Sequence, residues 1–268
     1  LMKMIPRMQI QRSYFLKLSL LLLIVAALPL FAEEMEDESI INVEFSVFPL
    51  EPAEWKGISY SSTGDLSNPK EALRFNPHER TLGFRYNGPT PIRFFRKTKS
   101  PEGEVLYKMV AQVSPEKTRG NFIFFFNPRD RSERKSEGPY DVFQMEDTKE
   151  SFPKDSIVFF NATSATFEGI FNEQPIRIQP GVSKPILVGH LADKPTPIGL
   201  VVREGEKMHK ILANNLRFYA DRRTLMILRS PKKATSMRIR LQRLTEYMGN
   251  RSNANDPGAS TVTGHHRT

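Results

Sequence analysis

Apolar and polar residues alternate with a period of two along much of this chain, and that pattern restricts the folds open to it. In residues 41–47, the side chains of Ile41, Val43, Phe45 and Val47 share one face, while polar residues occupy the other. Such alternation is typical of a β-strand with one face in a core and one in water. Similar segments recur at 72–75, 81–86, 91–96, 107–113, 121–126, 140–145, 156–161, 166–171, 175–178, 185–188, 197–202, 207–213, 224–229 and 237–241. We therefore predict an all-β sandwich or barrel.

Two segments depart from simple alternation. Residues 122–126 read FIFFF, a continuous apolar run that indicates a strand covered on both faces. Residues 211–219 are ambiguous, because their apolar residues would also suit a short helix.

Domain boundaries follow from breaks in the strand pattern. Residues 127–139 are rich in charge and proline, which favours a boundary between domains. We therefore expect two tandem β-sandwich (Ig-like) domains, at 40–127 and 140–246. The polar stretch 249–268 has too little apolar surface to fold, which predicts a disordered tail.

A faint internal repeat suggests that the two domains are related. Residues 91–93 (PIR) recur as 175–177 (PIR) when the preceding turns are matched. A rival pairing matches 89–92 (PTPI) with 195–198 (PTPI). Chance similarity between alternating strands is the third explanation, and the sequence leaves all three open.

The amino-terminal segment predicts export. Residues 18–32 (LSLLLLIVAALPLFA) form an apolar run of 15 residues behind four basic residues and no acidic one. This order is typical of a secretory signal peptide, and the run is shorter than the roughly 20 residues of a membrane-spanning helix. We predict a signal peptide at 1–32, cleaved after Ala32, with retention as an anchor as the alternative. Membrane contact would then end at cleavage.

Charge and cysteine content limit the chemistry. The chain has 39 Lys and Arg against 30 Asp and Glu, a formal charge of +9 that falls to +5 without the four signal-segment cations. There is no cysteine, which excludes disulfides, thiol catalysis and iron–sulfur clusters. Nucleic acid is not expected as a partner, since the aromatic pattern of an RNA-binding surface is lacking.

Several turn and strand-start motifs carry a resemblance to a known group of proteins. These motifs are 55–58 (WKGI), 81–89 (TLGFRYNGP), 152–156 (FPKDS) and 178–181 (IQPG). They resemble uncharacterised exported β-sandwich proteins of Gram-negative bacteria. The resemblance implies a sandwich fold and a location in the cell envelope, and it supplies no active site.

Common catalytic motifs are lacking. The sequence has no dinucleotide-binding glycine pattern, P-loop, nucleophile elbow or zinc-protease motif. His78, His190 and His209 lack a second histidine or carboxylate at ligand spacing, and we interpret the nearest pair, His190 with Asp193, as surface residues. We therefore predict a protein that is not an enzyme, with no cofactor and no metal site. A hydrolase with paired carboxylates from distant strands is a third hypothesis.

Two pairs of residues are candidates for binding. Trp55 and Tyr60 could stack on a sugar ring, although a lone tryptophan more often seals the edge of a core. Arg238 and Arg240 would share one face of the last predicted strand, where they could bind an anionic cell-wall polymer. They could also protect an edge strand from association, which is the interpretation we favour.

These observations converge on an exported structural or interaction protein of the bacterial cell envelope. We expect the periplasm as its location, with the cell surface or the medium as alternatives. Its partner would be an envelope protein or an anionic polymer. The alternative function is a carbohydrate-binding module that uses Trp55 and Tyr60.

Overall fold

The computed structural model describes residues 39–67, 69–129, 138–231, 236 and 238–249. The predicted signal peptide and almost all of the predicted tail lie outside these residues. The described part is nearly all β, which confirms the predicted fold class. It contains no helix long and apolar enough to cross a membrane. Its residues from Ile40 onward fall within one compact unit.

The first half of the described chain forms two sheets. Their strand orders are β4-β1-β7-β8 and β3-β2-β5-β6. The strands are β1 (Ile40–Pro49), β2 (Ile58–Tyr60), β3 (Glu71–Ala72), β4 (Thr81–Pro89), β5 (Ile92–Lys99), β6 (Val105–Val113), β7 (Arg119–Pro128) and β8 (Tyr140–Glu146).

The second half also forms two sheets. Their orders are β12-β9-β16-β17, with β13 also on β9, and β11-β10-β14-β15. The strands are β9 (Ser156–Asn161), β10 (Phe167–Phe171), β11 (Gln174–Ile178), β12 (Gly181–Val182), β13 (Ile186–Leu187), β14 (Pro195–Glu204), β15 (Lys207–Arg217), β16 (Arg222–Arg229) and β17 (Arg240–Tyr247).

The two halves share one topology. In each, the first strand pairs in parallel with the penultimate strand, which then pairs with the last. The repeat that matches 91–93 with 175–177 is wrong in this topology, because 91–93 leads into β5 while 175–177 lies in β11. The rival pairing fits, since 89–92 leads into β5 and 195–198 opens the equivalent strand β14. Both strands also shift register at the same position, after Phe94 in β5 and after Leu200 in β14.

Four sheets stack as layers with three apolar cores between them. One core fills the first sandwich, one fills the second, and the third joins the inner sheets of the two halves. The run 122–126 lies in β7, an inner strand. Phe124 faces the first core and Phe125 faces the central one, so the prediction of a strand covered on both faces is confirmed. The division into domains 40–127 and 140–246 stays a prediction, because the shared core joins the halves and residues 130–137 lie outside the described part.

Some strand predictions need correction. Residues 211–217 continue β15, so the helical interpretation of 211–219 is wrong. The strand predicted at 237–241 begins later, at Arg240. Its partner β16 ends at Arg229, and Pro231 shortly afterwards lacks the N–H that a ladder needs.

Candidate functional site

Arg240 is partly buried and pairs with an acidic residue. Its guanidinium makes a two-pronged contact with the carboxylate of Glu51, in which Nη1 donates to Oε2 at 2.7 Å. Its Nε donates to the carbonyl oxygen of Ser230 at 2.7 Å. Glu51 follows β1 in the first half and Arg240 opens β17 in the second. This arginine therefore neutralises a carboxylate and joins the two halves.

Arg238 does not share a strand face with Arg240. It lies before β17, and its backbone N–H donates to the hydroxyl of Ser236 at 3.2 Å. Its side chain is exposed. The expected row of two arginines on one strand face is therefore not formed, because β17 begins only at Arg240. β17 is nevertheless the last strand of its sheet in the described residues, the position for which an edge-protecting role was proposed.

Trp55 packs at the open end of the first core. Its ring centroid lies 5.0 Å from that of Phe75, in a stacked arrangement, and 4.8 Å from that of Tyr140. The indole Nε1 donates to the carbonyl oxygen of Glu51 at 3.1 Å. Aromatic contacts and a satisfied N–H are typical of a tryptophan that seals a core edge.

Tyr60 is a core residue. Its side chain is 3% exposed, and its ring contacts include Phe45 at 5.2 Å between centroids. The hydroxyl donates to the carbonyl oxygen of Arg85 at 2.9 Å. Burial raises the pKa of Tyr60 above its ordinary value, against the hydrogen bond to Arg85. A ring buried in this way presents no face to a sugar, so the structure does not join Trp55 and Tyr60 into one open surface.

The most concentrated charges in the described residues form a cluster that the sequence did not reveal. We call Arg80, Asp147, Arg223 and Glu246 the four-charge cluster. Arg80 precedes β4 and Asp147 follows β8, so both belong to the first half. Arg223 in β16 and Glu246 in β17 are direct cross-strand partners in the second half. The cluster therefore lies where the two halves meet.

Each arginine of the four-charge cluster contacts both acids. Arg80 Nη1 pairs with Asp147, and Arg80 Nη2 lies 2.9 Å from Glu246 Oε2. Arg223 Nη1 lies 2.7 Å from Asp147 Oδ1, and its Nη2 lies 2.8 Å from Glu246 Oε2. The arginine side chains are only 10% and 7% exposed. Two positive and two negative charges thus cancel in a largely desolvated place.

Packing around Arg223 fixes this arrangement further. Its guanidinium carbon lies 4.4 Å above the ring centroid of Phe152. Its Nη1 also donates to the carbonyl oxygen of Phe152 at 3.2 Å. Because all three guanidinium nitrogens of Arg223 also contact Asp147 or Glu246, this side chain has little freedom to turn towards a ligand.

The pKa shifts in the cluster favour the charged forms. Burial works to raise the pKa of Asp147, but Arg80 and Arg223 outweigh it and hold the pKa below the usual range. Burial works to lower the pKa of Arg80, but Glu246 and Asp147 together raise it. A hydrolase of the paired-carboxylate type needs one acid with a raised pKa to protonate the leaving group. The pKa of Asp147 is shifted in the opposite direction, so Asp147 lacks the raised pKa that such a proton donor needs.

One part of the four-charge cluster had a signal in the sequence. Arg223 and Glu246 are direct cross-strand partners, and opposite charges often occupy such positions. Arg80 and Asp147 lie in connections rather than strands. Their convergence depends on how the layers stack, which no local pattern encodes.

A small cleft lies at one end of the second sandwich. Its volume is about 250 Å³, and it lies between the β10–β11 turn and a 3₁₀ turn at Gly189–Leu191. Phe171, Ile176 and Leu191 supply apolar walls, and His190 also lines the cleft. Of the two residues that the sequence paired, His190 lines this cleft and Asp193 does not.

No metal centre is present among the described residues. They contain no group of three or more His, Asp or Glu side chains placed to hold an ion. His209, expected to lack a carboxylate neighbour, has one: its Nε2 lies 3.2 Å from Glu204 Oε2 across the β14–β15 turn. Two groups are fewer than a protein metal site uses.

Comparison of the chain with models of known protein families gives no match, and comparison with curated proteins gives none either.

Proposed function

We propose that this chain is an exported, non-enzymatic structural or interaction protein of the bacterial cell envelope. In this role the stacked sheets serve as a rigid scaffold, and recognition takes place at loops and strand edges. The periplasm is the proposed location, reached through the signal peptide at residues 1–32.

One observation carries the proposal: the most buried charges of the described residues neutralise one another across the boundary between the halves. Arg80 and Arg223 are both committed to Asp147 and Glu246, and Arg240 is committed to Glu51. Charges used in this way hold a shape, whereas catalytic charges are poised to change state. The central apolar core supports the same interpretation, because it locks two sandwiches into one block.

Export is tested by following the amino terminus in cells. The full chain is expressed in a Gram-negative host, and the product is analysed by intact mass and fractionation. We expect a mature protein that begins at Glu33 and is released by osmotic shock. A matched variant, Leu22→Arg with Leu23→Arg, interrupts the apolar run and should remain uncleaved in the cytoplasm.

The interaction role is tested by photo-crosslinking in the same cells. A photoreactive residue replaces Leu82, Leu187 or Met208, three exposed apolar side chains on β4, β13 and β15. A specific partner should give a discrete adduct from one position and none from the others. An intact, unprocessed protein confined to the cytoplasm, or the same diffuse adducts from all three positions, would count against the proposal.

A further inference from the structure

Two exposed arginines of the β16–β17 hairpin have no acid partner among the described residues. We call Arg222 and Arg243 the arginine pair. Arg222 and Met226 lie four residues apart on one face of β16, and Met226 is the direct cross-strand partner of Arg243. Cross-strand partners share a face, so both arginines project from the same side of the β16–β17 hairpin. That side faces away from the four-charge cluster, whose Arg223 alternates with Arg222 along β16.

Contacts with neighbouring groups hold both guanidiniums in place. The guanidinium carbon of Arg222 lies 5.2 Å from the ring centroid of Tyr219. Arg243 donates through Nη2 to the carbonyl oxygen of Arg217 at 2.7 Å and through Nε to the hydroxyl of Thr245 at 3.1 Å. Arg222, Arg243 and Tyr219 are all exposed, so a ligand from solution can reach them.

The arginine pair lacks the counter-charge that the arginines at the boundary between the halves have. Arg80, Arg223 and Arg240 each contact a carboxylate. Among the described residues, no carboxylate lies within ion-pair distance of Arg222 or Arg243. Asp221, the acid next to Arg222 in sequence, is paired with Lys154 at 2.7 Å instead.

The positive charge of Arg222 also acts on Arg243. Partial burial of its guanidinium lowers the pKa of Arg243, and the charge of Arg222 lowers it further, while Tyr219 opposes both. Two like charges held together without a partner would be stabilised by an anion placed between them.

We propose that Arg222 and Arg243, together with the hydroxyl of Tyr219, bind a phosphate group. A phosphomonoester carries close to two negative charges at neutral pH, which matches two guanidiniums better than one carboxylate does. The phosphate could be presented by a lipid headgroup at a membrane surface or by a soluble molecule. This inference deepens the proposed interaction role and rests on it, since it names a chemical group that the module would recognise.

The test measures binding to the purified mature chain. Inorganic phosphate is titrated while the Nε–Hε signals of Arg222 and Arg243 are followed by NMR. In parallel, the protein is sedimented with vesicles of phosphatidylcholine with or without phosphatidic acid. We expect saturable shifts of both arginine signals, and about tenfold weaker binding in Arg222→Ser, whose exposed side chain makes no hydrogen bond that the fold needs.

Two further variants make the result specific. Arg243→Gln should weaken binding as much as Arg222→Ser, while Arg238→Ser, an exposed arginine outside the pair, should leave it unchanged. Binding to both inorganic phosphate and phosphatidic acid vesicles shows that the site recognises the phosphate group itself. Binding to only one of them shows whether the phosphate is presented by a soluble molecule or by a lipid. No binding to either, or equal losses in Arg222→Ser and Arg238→Ser, overturns the site. Export and cleavage are measured in cells, so a negative binding result leaves the proposed function standing.

Discussion

The two halves of this protein have the same strand order but fill their cores with different side chains. Among the described residues, eight of the buried residues in the first core are Phe or Tyr, against four Phe in the second. Rings in the first core contact one another repeatedly, as Phe45 does with Phe124 at 4.9 Å between centroids. The second core relies on Ile, Leu, Val and Met. The same topology therefore accommodates an aromatic core and a mainly aliphatic core, provided that the total side-chain volume and the alternation of apolar residues along the strands are kept.

The halves meet in a third core, and removing a ring from it should have the largest effect. Phe125 is fully buried and stacks on Phe160 at 4.4 Å between centroids. Phe125→Ala should lower the free energy of unfolding by about 4 kcal/mol, because the cavity cannot close fully. Urea unfolding is followed by tryptophan fluorescence, which reports the first half, and by circular dichroism, which reports both. Leu82→Ala, at an exposed position, serves as the control and should change little.

If the halves behave as one unit, both signals should shift to lower urea together in Phe125→Ala. A tryptophan transition that stays in place while the dichroism shifts would mean that the two halves unfold independently, and the comparison would then concern two separate domains.

Breaking the four-charge cluster should have the next largest effect. Arg80→Ala leaves Asp147 and Glu246 sharing one arginine in a desolvated place, which should cost about 3 kcal/mol in unfolding free energy. Arg85→Ala is the matched control, because Arg85 pairs with Glu44 at the surface, where the two side chains are 82% and 55% exposed. That pair should contribute at most about 1 kcal/mol. Equal losses in the two variants would show that the cluster does not join the halves.

A glycine in the second half tests where close backbone approach matters. A Cβ at Gly169 in β10 would collide with the carbonyl oxygen of Gly199 in β14. Gly169→Ala should therefore destabilise the protein by about 2 kcal/mol. The control is Gly199→Ala, whose Cβ would meet nothing within 4 Å and which should be neutral or slightly stabilising. Melting temperatures of the two variants give the comparison, and a larger loss at Gly199 would contradict it.

The pH dependence of stability should report Asp147. Its pKa is lowered in the folded state, so its contribution is fully present above the unfolded value of about 3.9 and is lost as pH falls from there through the lowered folded value. Asp147→Asn should therefore flatten the acid limb of the melting-temperature profile. An unchanged acid limb in this variant would mean that other carboxylates determine acid unfolding.

The smallest effect is expected when glycans are added and tryptophan fluorescence is measured. Trp55 packs against Phe75 and Tyr140, and Tyr60 is buried, so soluble glucans, mannans and peptidoglycan fragments should leave tryptophan fluorescence unchanged. A saturable shift with one glycan would support the carbohydrate-binding alternative and would show that the first half opens at its edge.

The strand pattern was predictable because alternation is a local property of the sequence. β9 was predicted with its observed bounds, and the run 122–126 predicted a strand buried on both faces. β2 was missed because only three residues, Ile58–Tyr60, carry its pattern. The continuous runs 157–160 and 225–228 carry the same signal as 122–126, and together the three runs would have predicted a central layer.

The charged contacts could not be predicted in the same way. Arg240 and its partner Glu51 are 189 positions apart, and Arg80 and Glu246 are 166 apart. Such contacts depend on which sheet lies on which, and on the register of β17. The sequence indicated that the carboxy-terminal third is basic, but not which arginines have acid partners.

The inner sheets have a consequence for any shortened version of the protein. A fragment that ends between β8 and β9 would expose one apolar face of its inner sheet, with Phe48, Ile123 and Phe125 in contact with water. Such a fragment would self-associate or precipitate. Each sandwich therefore covers an apolar face of the other, and separating the two would expose both faces to water.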